Sequence, residues 1–219
     1  MPNEASTTRT AESVLVCFAL KEEVAPFQKI AAGKSGVSVL ITGIGRQNAR
    51  RSLVDRLAQS TPALVLTCGF AGGLDPALKI GDVVFEPQDA SPREKLLRVG
   101  AKPGTFFCAA RIASTAAEKK KLRDETHADA VEMESAEIHA VCRERGIPCV
   151  TLRVISDAAH DDMPLDFNQL SKPDMSLDYG KLAWAVAKSP GKIGALLKLQ
   201  KETRFAAERL AQALAGIIW

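Results

Sequence analysis

Two carboxylates in the second half of the chain stand where an α/β protein keeps its chemistry. Glu134 lies in Val131-Glu132-Met133-Glu134-Ser135-Ala136, a run that opens a helix, and Asp157 closes the apolar run ending Val154-Ile155-Ser156-Asp157. Carboxylates at strand and helix ends can share a crevice, and two carboxyls in different surroundings can divide acid and base work between them. A further candidate sits near the start, where Glu22 and Glu23 directly follow the apolar run Val14 to Leu20. Both suit the first turn of a helix, and one of them can instead lean back into a pocket as a general base.

The elements that must position these groups are legible around them. From Ser135 the helix places Ile138, Val141 and Cys142 at i, i+3 and i+4, then stops at Gly146 with Pro148 just beyond. Pro148 to Ser156, rich in β-branched Val150, Thr151, Val154 and Ile155, reads as a buried strand delivering Asp157 to its carboxyl end. Three strand-length apolar runs come earlier, Val14 to Leu20, Val37 to Thr42 and Ala63 to Cys68. Helical patterns over Glu23 to Ala31 and Arg46 to Gln59 separate them, with Ala49, Leu53 and Leu57 at helical spacing. Such alternation predicts one α/β domain with a largely parallel sheet covered by helices. A surface loop is expected from Pro87 to Pro103, a strand over Thr105 to Ala113, and a second loop from Asp161 to Tyr179 over a pocket mouth. Lys181 to Lys188 and Lys192 to Ile217 read as helices, the second a packing helix with solvated lysines.

Two glycine clusters add a binding surface. Gly43-Ile44-Gly45 follows the second strand and Gly69-Phe70-Ala71-Gly72-Gly73 the third. Neither is a phosphate fingerprint, since Asn48 stands where G-x-G-x-x-G needs glycine and no G-K-[ST] follows the second cluster. Each alone is a tight turn, but two in succession suggest a shared anion or ribose cradle. His160, Asp161 and Asp162 lack a matching distant set of metal ligands among three histidines, so no metal and no cofactor is expected.

Composition narrows the partners. The chain has 219 residues, 46% hydrophobic, enough for one substantial core. A net charge of +3, from 29 basic residues interspersed with 26 acidic ones, points to small molecules and away from nucleic acid. Five cysteines, Cys17, Cys68, Cys108, Cys142 and Cys149, show no C-x-x-C spacing and read as reduced core residues of a cytoplasmic protein. Residues 1–13 are polar and of mixed charge, a flexible N-terminus preceding a domain over 14–219. No stretch reaches the about 18 apolar residues of a membrane span.

Taken together, these residues resemble the nucleoside phosphorylase and nucleosidase superfamily, and within it the 5′-methylthioadenosine/S-adenosylhomocysteine nucleosidase-like enzymes. Four blocks carry the resemblance over about residues 14 to 160: Ala19-Leu20-Lys21-Glu22-Glu23-Val24, Thr42-Gly43-Ile44-Gly45, Cys68 to Leu74 with Lys79-Ile80-Gly81-Asp82, and Val131-Glu132-Met133-Glu134 through Ser156-Asp157. The resemblance implies a twisted mixed sheet, partly closed into a barrel and surrounded by helices, in a homo-oligomer. It also implies cleavage of the N-glycosidic bond of a purine nucleoside, adenine being the first expectation, by hydrolysis. By the same resemblance Asp157, helped by Ser156, protonates the leaving base, and Glu23 activates water. Glu134 accepts the ribose hydroxyls, Met133 packs on the sugar, and Phe70, Ala71 and Gly72 line the site.

Alternatives stay open. Gly45 and Arg46 allow a phosphate contact, hence a phosphorylase, and a non-catalytic nucleoside-binding protein on the same fold is the other reading. The stretch where adenine-specific relatives carry a base-stacking aromatic is shortened and reads Ala113-Ser114-Thr115-Ala116-Ala117, leaving the base undecided. Lys172-Pro173-Asp174 and the basic last helix resemble the hopanoid-associated subgroup, which implies a larger, greasier 5′ substituent and a peripheral membrane contact.

Overall fold

The computed structural model describes residues 14–86, 93–176 and 178–219. The expected flexible segment at residues 1–13, and residues 87–92 of the expected loop, lie outside them. In chain order the elements are β1 (Val14–Phe18), α1 (Lys21–Ala31), β2 (Val37–Ile41), α2 (Arg46–Leu57), β3 (Leu64–Gly73) and β4 (Val83–Phe85). Then come α3 (Arg93–Arg98), β5 (Lys102–Pro103), β6 (Phe106–Cys108), α4 (Ala116–Thr126), β7 (Ala130–Glu132) and α5 (Ser135–Glu144). The chain closes with β8 (Cys149–Asp157), α6 (Tyr179–Lys188), a 3₁₀ turn at Pro190–Lys192 and α7 (Ile193–Ile218).

Strand alternation sorts the core into two layers. Val16, Phe18, Leu66 and Cys68 face Phe27 of α1 and Leu210, Leu214 and Ile217 of α7. Leu15, Cys17 and Val65 face the other way, onto Ala49, Leu53 and Leu57 of α2 and Ile138 and Val141 of α5. A sheet buried on both faces needs apolar residues at every position, which is why its strands read as continuous runs. The strands order as β2-β1-β3-β8-β4-β5, with β7 joining β3 to β6. The β1–β2, β1–β3 and β3–β8 pairs are parallel, whereas β4–β8 and β3–β7 are antiparallel, so the sheet is mixed as well as largely parallel.

Four local expectations need correction. The third strand does not end at Cys68: Gly69 to Gly73 continue β3, and the expected turn is a strand whose glycines admit side chains from neighbouring elements. Val131 and Glu132 belong to β7, and the helix starts at Ser135 with Glu134 as its N-cap. Of the expected strand Thr105 to Ala113 only Phe106–Cys108 forms, and Arg93–Arg98 within the expected loop is helical. The whole of α4 was not expected. Its start is a capping box, in which Thr115 Oγ1 accepts the Glu118 amide at 3.1 Å and Glu118 Oε2 accepts the Thr115 amide at 3.2 Å.

Candidate active site

Where β1 stops, its edge of β3 is left open. β1 pairs with β3 only as far as Thr67, and β7 takes over that edge at Gly72. Glu23 fills the gap. As the third residue of α1 it turns back on the chain, its Oε2 accepting the amides of Ala19 at 2.9 Å and Leu20 at 2.8 Å, and its Oε1 that of Phe70 at 2.8 Å. Glu22 beside it is exposed, so the two first-turn acids divide cleanly into solvent and site. Burial pushes the Glu23 carboxyl up to about 7, against the opposing pull of the Phe70 amide and Arg153.

β7 runs antiparallel to β3, pairing Ala130 with Gly73 and Val131 with Gly72. The chain thus carries Glu132 and Glu134 back along β3 toward Gly69, where both meet Arg153 of β8. Arg153, 1% exposed, places Nη2 at 2.6 Å from Glu132 Oε2 and Nη1 at 3.3 Å from Glu134 Oε2. It also donates to the Cys68 carbonyl and Thr67 Oγ1, each at 3.3 Å. Gly69 is what makes this approach feasible. At φ +144° a Cβ there would lie 2.7 Å from Glu23 Oε1 and 2.8 Å from Arg153 Nη1.

The two glutamates flanking Met133 separate by their partners. Glu132 accepts the amides of Glu134 at 2.9 Å and Ser135 at 2.8 Å, together with the Ser135 hydroxyl at 2.6 Å, so it caps α5 from outside. Burial disfavours its charge, yet Arg153 and these donors outweigh that and hold the carboxyl below its ordinary range. Glu134 takes the Gly45 amide at 2.8 Å, and the Met133 amide also favours its charge. Burial dominates there and raises its carboxyl, although Arg153 opposes. The Gly45 amide opens α2, and a carboxylate held there has the favourable end of the helix dipole.

Asp157 ends β8 opposite Gly72. Ser156 Oγ donates to its Oδ1 at 2.7 Å, and a Cβ on Gly72 would stand 3.2 Å from its Oδ2. The fully buried Lys119 of α4 brings Nζ within 2.5 Å of Oδ2. The ammonium approaches off the axis of a hydrogen bond, so the contact is an ion pair, and Oδ2 has no hydrogen-bond donor among the described residues.

The structure therefore strings Glu23, Glu134, Ser156 and Asp157 along β3 between Gly69 and Gly72, with Met133 buried next to them. Phe70, Ala71 and Gly72 form the strand between these carboxyls. Arg46 turns away: it is exposed and donates to the Cys108 carbonyl. Sequence reasoning passed over Arg153 and Lys119, and gave Glu132 no role of its own. Phe106 packs on Ala71, Val84, Ala130 and Ile155, and Phe107 on Leu74 and Val131, so both join small cores. The loop after Asp161 borders a cleft of about 250 Å³ lined by Arg111, Ser114, Met163, Leu165 and Lys192 among others, and by none of the carboxyls along β3.

Comparisons with known proteins bear on the family and the fold. A family model described as "Phosphorylase superfamily" matches residues 11–86 and 87–185. A 5′-methylthioadenosine/S-adenosylhomocysteine nucleosidase of Marinomonas sp. (strain MWYL1) is 31% identical over 62% of this chain and 74% of its own length. The enzyme of that name from Shewanella sp. (strain W3-18-1) is 27% identical over 68% and 81%. Among solved structures, the Helicobacter pylori 5′-methylthioadenosine/S-adenosyl homocysteine nucleosidase complexed with a substituted pyrrolidin-3-ol superposes with a TM-score of 0.70 at 18% identity, covering 95% of this chain and 98% of that one. A futalosine hydrolase mutant from the same organism gives 0.67 at 19%, covering 92% and 98%. At such identities the structures speak for the fold.

Proposed function

The chain belongs to the phosphorylase superfamily and is an enzyme acting on N-ribosyl bonds; from that premise we propose that it hydrolyses the N-glycosidic bond of a purine nucleoside at the Glu23, Glu134 and Asp157 carboxyls. The observation that carries the reading is the grading of these groups along one strand. Burial pushes Glu23 up to about 7 and raises Glu134 against the pull of Arg153, and Asp157 is held by a hydroxyl and an ammonium. Cleavage through an oxocarbenium-like sugar needs a proton for the leaving base on one side and an activated water on the other. Asp157 supplies the first. Glu23 serves the second, its carboxylate forming as pH rises through about 7. Glu134 accepts the ribose hydroxyls, and Met133 covers the sugar.

Hydrolysis is preferred to phosphorolysis because the groups that would take phosphate are engaged. The Gly45 amide donates to Glu134, and Arg46 donates to the Cys108 carbonyl. The relatives named above carry nucleosidase names, which supports the same direction. The base and the 5′ group are part of the proposal, and 5′-methylthioadenosine is the first substrate to try.

The test is chromatographic release of free base from adenosine, inosine, 5′-methylthioadenosine and pyrimidine nucleosides, with and without phosphate. Release from a purine member in phosphate-free buffer supports the reading. A strict phosphate requirement replaces it with a phosphorylase, and tight binding without turnover replaces it with a binding protein. Asp157→Asn, correctly folded, should turn over purine nucleosides about 100-fold more slowly or worse. Near-normal turnover would remove Asp157 from the acid role.

A further inference from the structure

Lys119 is a buried cation set against the loop that follows β8. Its side chain is 0% exposed, and it sits in the first turns of α4, against the carboxyl end of β8. An ammonium carries three donors and is costly to bury unless each finds an acceptor. The Ala158 carbonyl takes one at 2.8 Å and the Asp161 carbonyl another at 3.0 Å, while Asp157 Oδ2 stands 2.5 Å from Nζ as an ion pair not aligned as a hydrogen bond. The two carbonyls tie down the loop after β8. The third contact places the charge on Asp157.

The other ionised groups near this point are engaged elsewhere. Asp161 Oδ2 accepts the Ala158 amide at 2.9 Å, and Asp162 Oδ1 accepts that of Ala116 at 2.7 Å. Glu118, the neighbour of Lys119 on α4, takes Arg111 at 2.5 Å and the Ser114 amide at 2.8 Å. Among the described residues Asp157 is thus the one carboxylate in ion-pair contact with Lys119. A carboxylate in an ion pair has no proton of its own to give. The acid step needs one, and the nearest is on Nζ.

Resting on the reading of Asp157 as the acid, we propose that Lys119 is a positioning residue of the acid step, fixing the Asp157 carboxyl and supplying the proton that Asp157 passes to the leaving base. The balance closes. The C1′–N9 bond breaks with its electron pair going to the base, N7 takes a proton from Asp157, and Asp157 is resupplied by Lys119. Lys119 is left as an amine whose two remaining N–H groups stay on the Ala158 and Asp161 carbonyls. Water adds hydroxide to C1′ and gives its proton to Glu23, and exchange with solvent discharges Glu23 and recharges Lys119. At the observed separation, rotation of either side chain aligns the transfer, as acid–base contacts commonly do once substrate binds.

The experiment compares Lys119→Met and Lys119→Gln with wild type on 5′-methylthioadenosine, adenosine and inosine, and on 4-nitrophenyl β-D-ribofuranoside, whose leaving group departs without a proton. Purine release should fall about 100-fold or more while nitrophenolate release stays within about threefold, the split expected of a lost proton supply. Parallel losses on both kinds of substrate, or purine turnover within about threefold of wild type, would overturn the proposal. Asp157→Asn separates the two levels. If that variant cleaves purines normally, the acid reading itself fails; if it is slow on purines alone while the Lys119 variants are not, only the role of Lys119 fails.

Discussion

The Arg153 guanidinium meets the Glu132 carboxylate at 2.6 Å in a pair that solvent hardly touches, at 1% and 0% side-chain exposure. The pair joins the middle of β8 to the end of β7, and its outer nitrogen reaches on to Glu134. One guanidinium therefore sets the spacing between a structural carboxylate and a site carboxylate. Burial alone would drive Arg153 toward its neutral form, but Glu132, Glu134 and Glu23 overcome that and raise its pKa above the ordinary arginine value.

Removing the cation should be worse than removing any one of its partners. Arg153→Met would leave buried carboxylates without compensation, and breaking such a buried set costs about 3–5 kcal/mol. Chemical denaturation should show that loss, with base release abolished. Stability within about 1 kcal/mol of wild type would mean that the pair is exchangeable for apolar packing.

Glu23 gives a pH dependence with a definite sign. Its carboxyl moves from 4.5 in the unfolded chain to about 7 in the fold. The folded state then binds the proton more tightly, so the group's contribution to stability is full below 4.5 and is lost as pH rises through about 7. Against Glu23→Gln, wild type should lose up to about 3 kcal/mol of relative stability over that interval, measured by denaturation at each pH. Activity runs the other way. The base must be ionised, so kcat/KM should climb about tenfold per unit on an acid limb that ends near 7. A flat profile from pH 5 to 8 would separate Glu23 from water activation.

Glu23, Glu134, Ser156 and Asp157 were legible because each stands at an element end, and element ends follow from apolar periodicity and from punctuation such as Gly146 and Pro148. The glycines of β3 were misread for a physical reason. Glycine marks both turns and close approaches, and only the partner decides which; here the partners, Glu23 and Arg153, are distant in sequence. Arg153 was hidden inside a run whose neighbours are apolar, since a charge paired on a buried strand leaves no periodic trace. Lys119 had a local signal. Thr115-Ala116-Ala117-Glu118 is a capping-box pattern, and reading it as one would have started α4 in the right place.

Gly69→Ala tests the close approach directly. The new Cβ would sit inside contact distance of Glu23 Oε1 and Arg153 Nη1, at a φ of +144° that side chains seldom adopt. Overpacking of this kind costs about 1–3 kcal/mol. Because the side chain pushed aside is the proposed base, turnover should drop by at least about tenfold beyond any loss of folded protein. Thermal unfolding and kcat on the same preparation check both parts, and unchanged values for the two would show that β3 can yield there.

The pair flanking Met133 should split stability from activity. Glu132 takes two amides, one hydroxyl and Arg153, so Glu132→Gln leaves donors at the start of α5 without an anion and should cost about 2–4 kcal/mol. Glu134 is raised by burial, which outweighs its Gly45 and Met133 amides and the longer Arg153 contact, so its charge contributes less to the fold. Glu134→Gln should stay within about 1 kcal/mol of wild-type stability yet lower kcat/KM by about 100-fold or more, because an amide accepts ribose hydroxyls less strongly than a carboxylate. A 2′-deoxynucleoside makes the assignment specific. If Glu134 holds the 2′-hydroxyl, the variant's defect should shrink on the deoxy substrate, and an equal defect on both sugars would move Glu134 out of ribose binding.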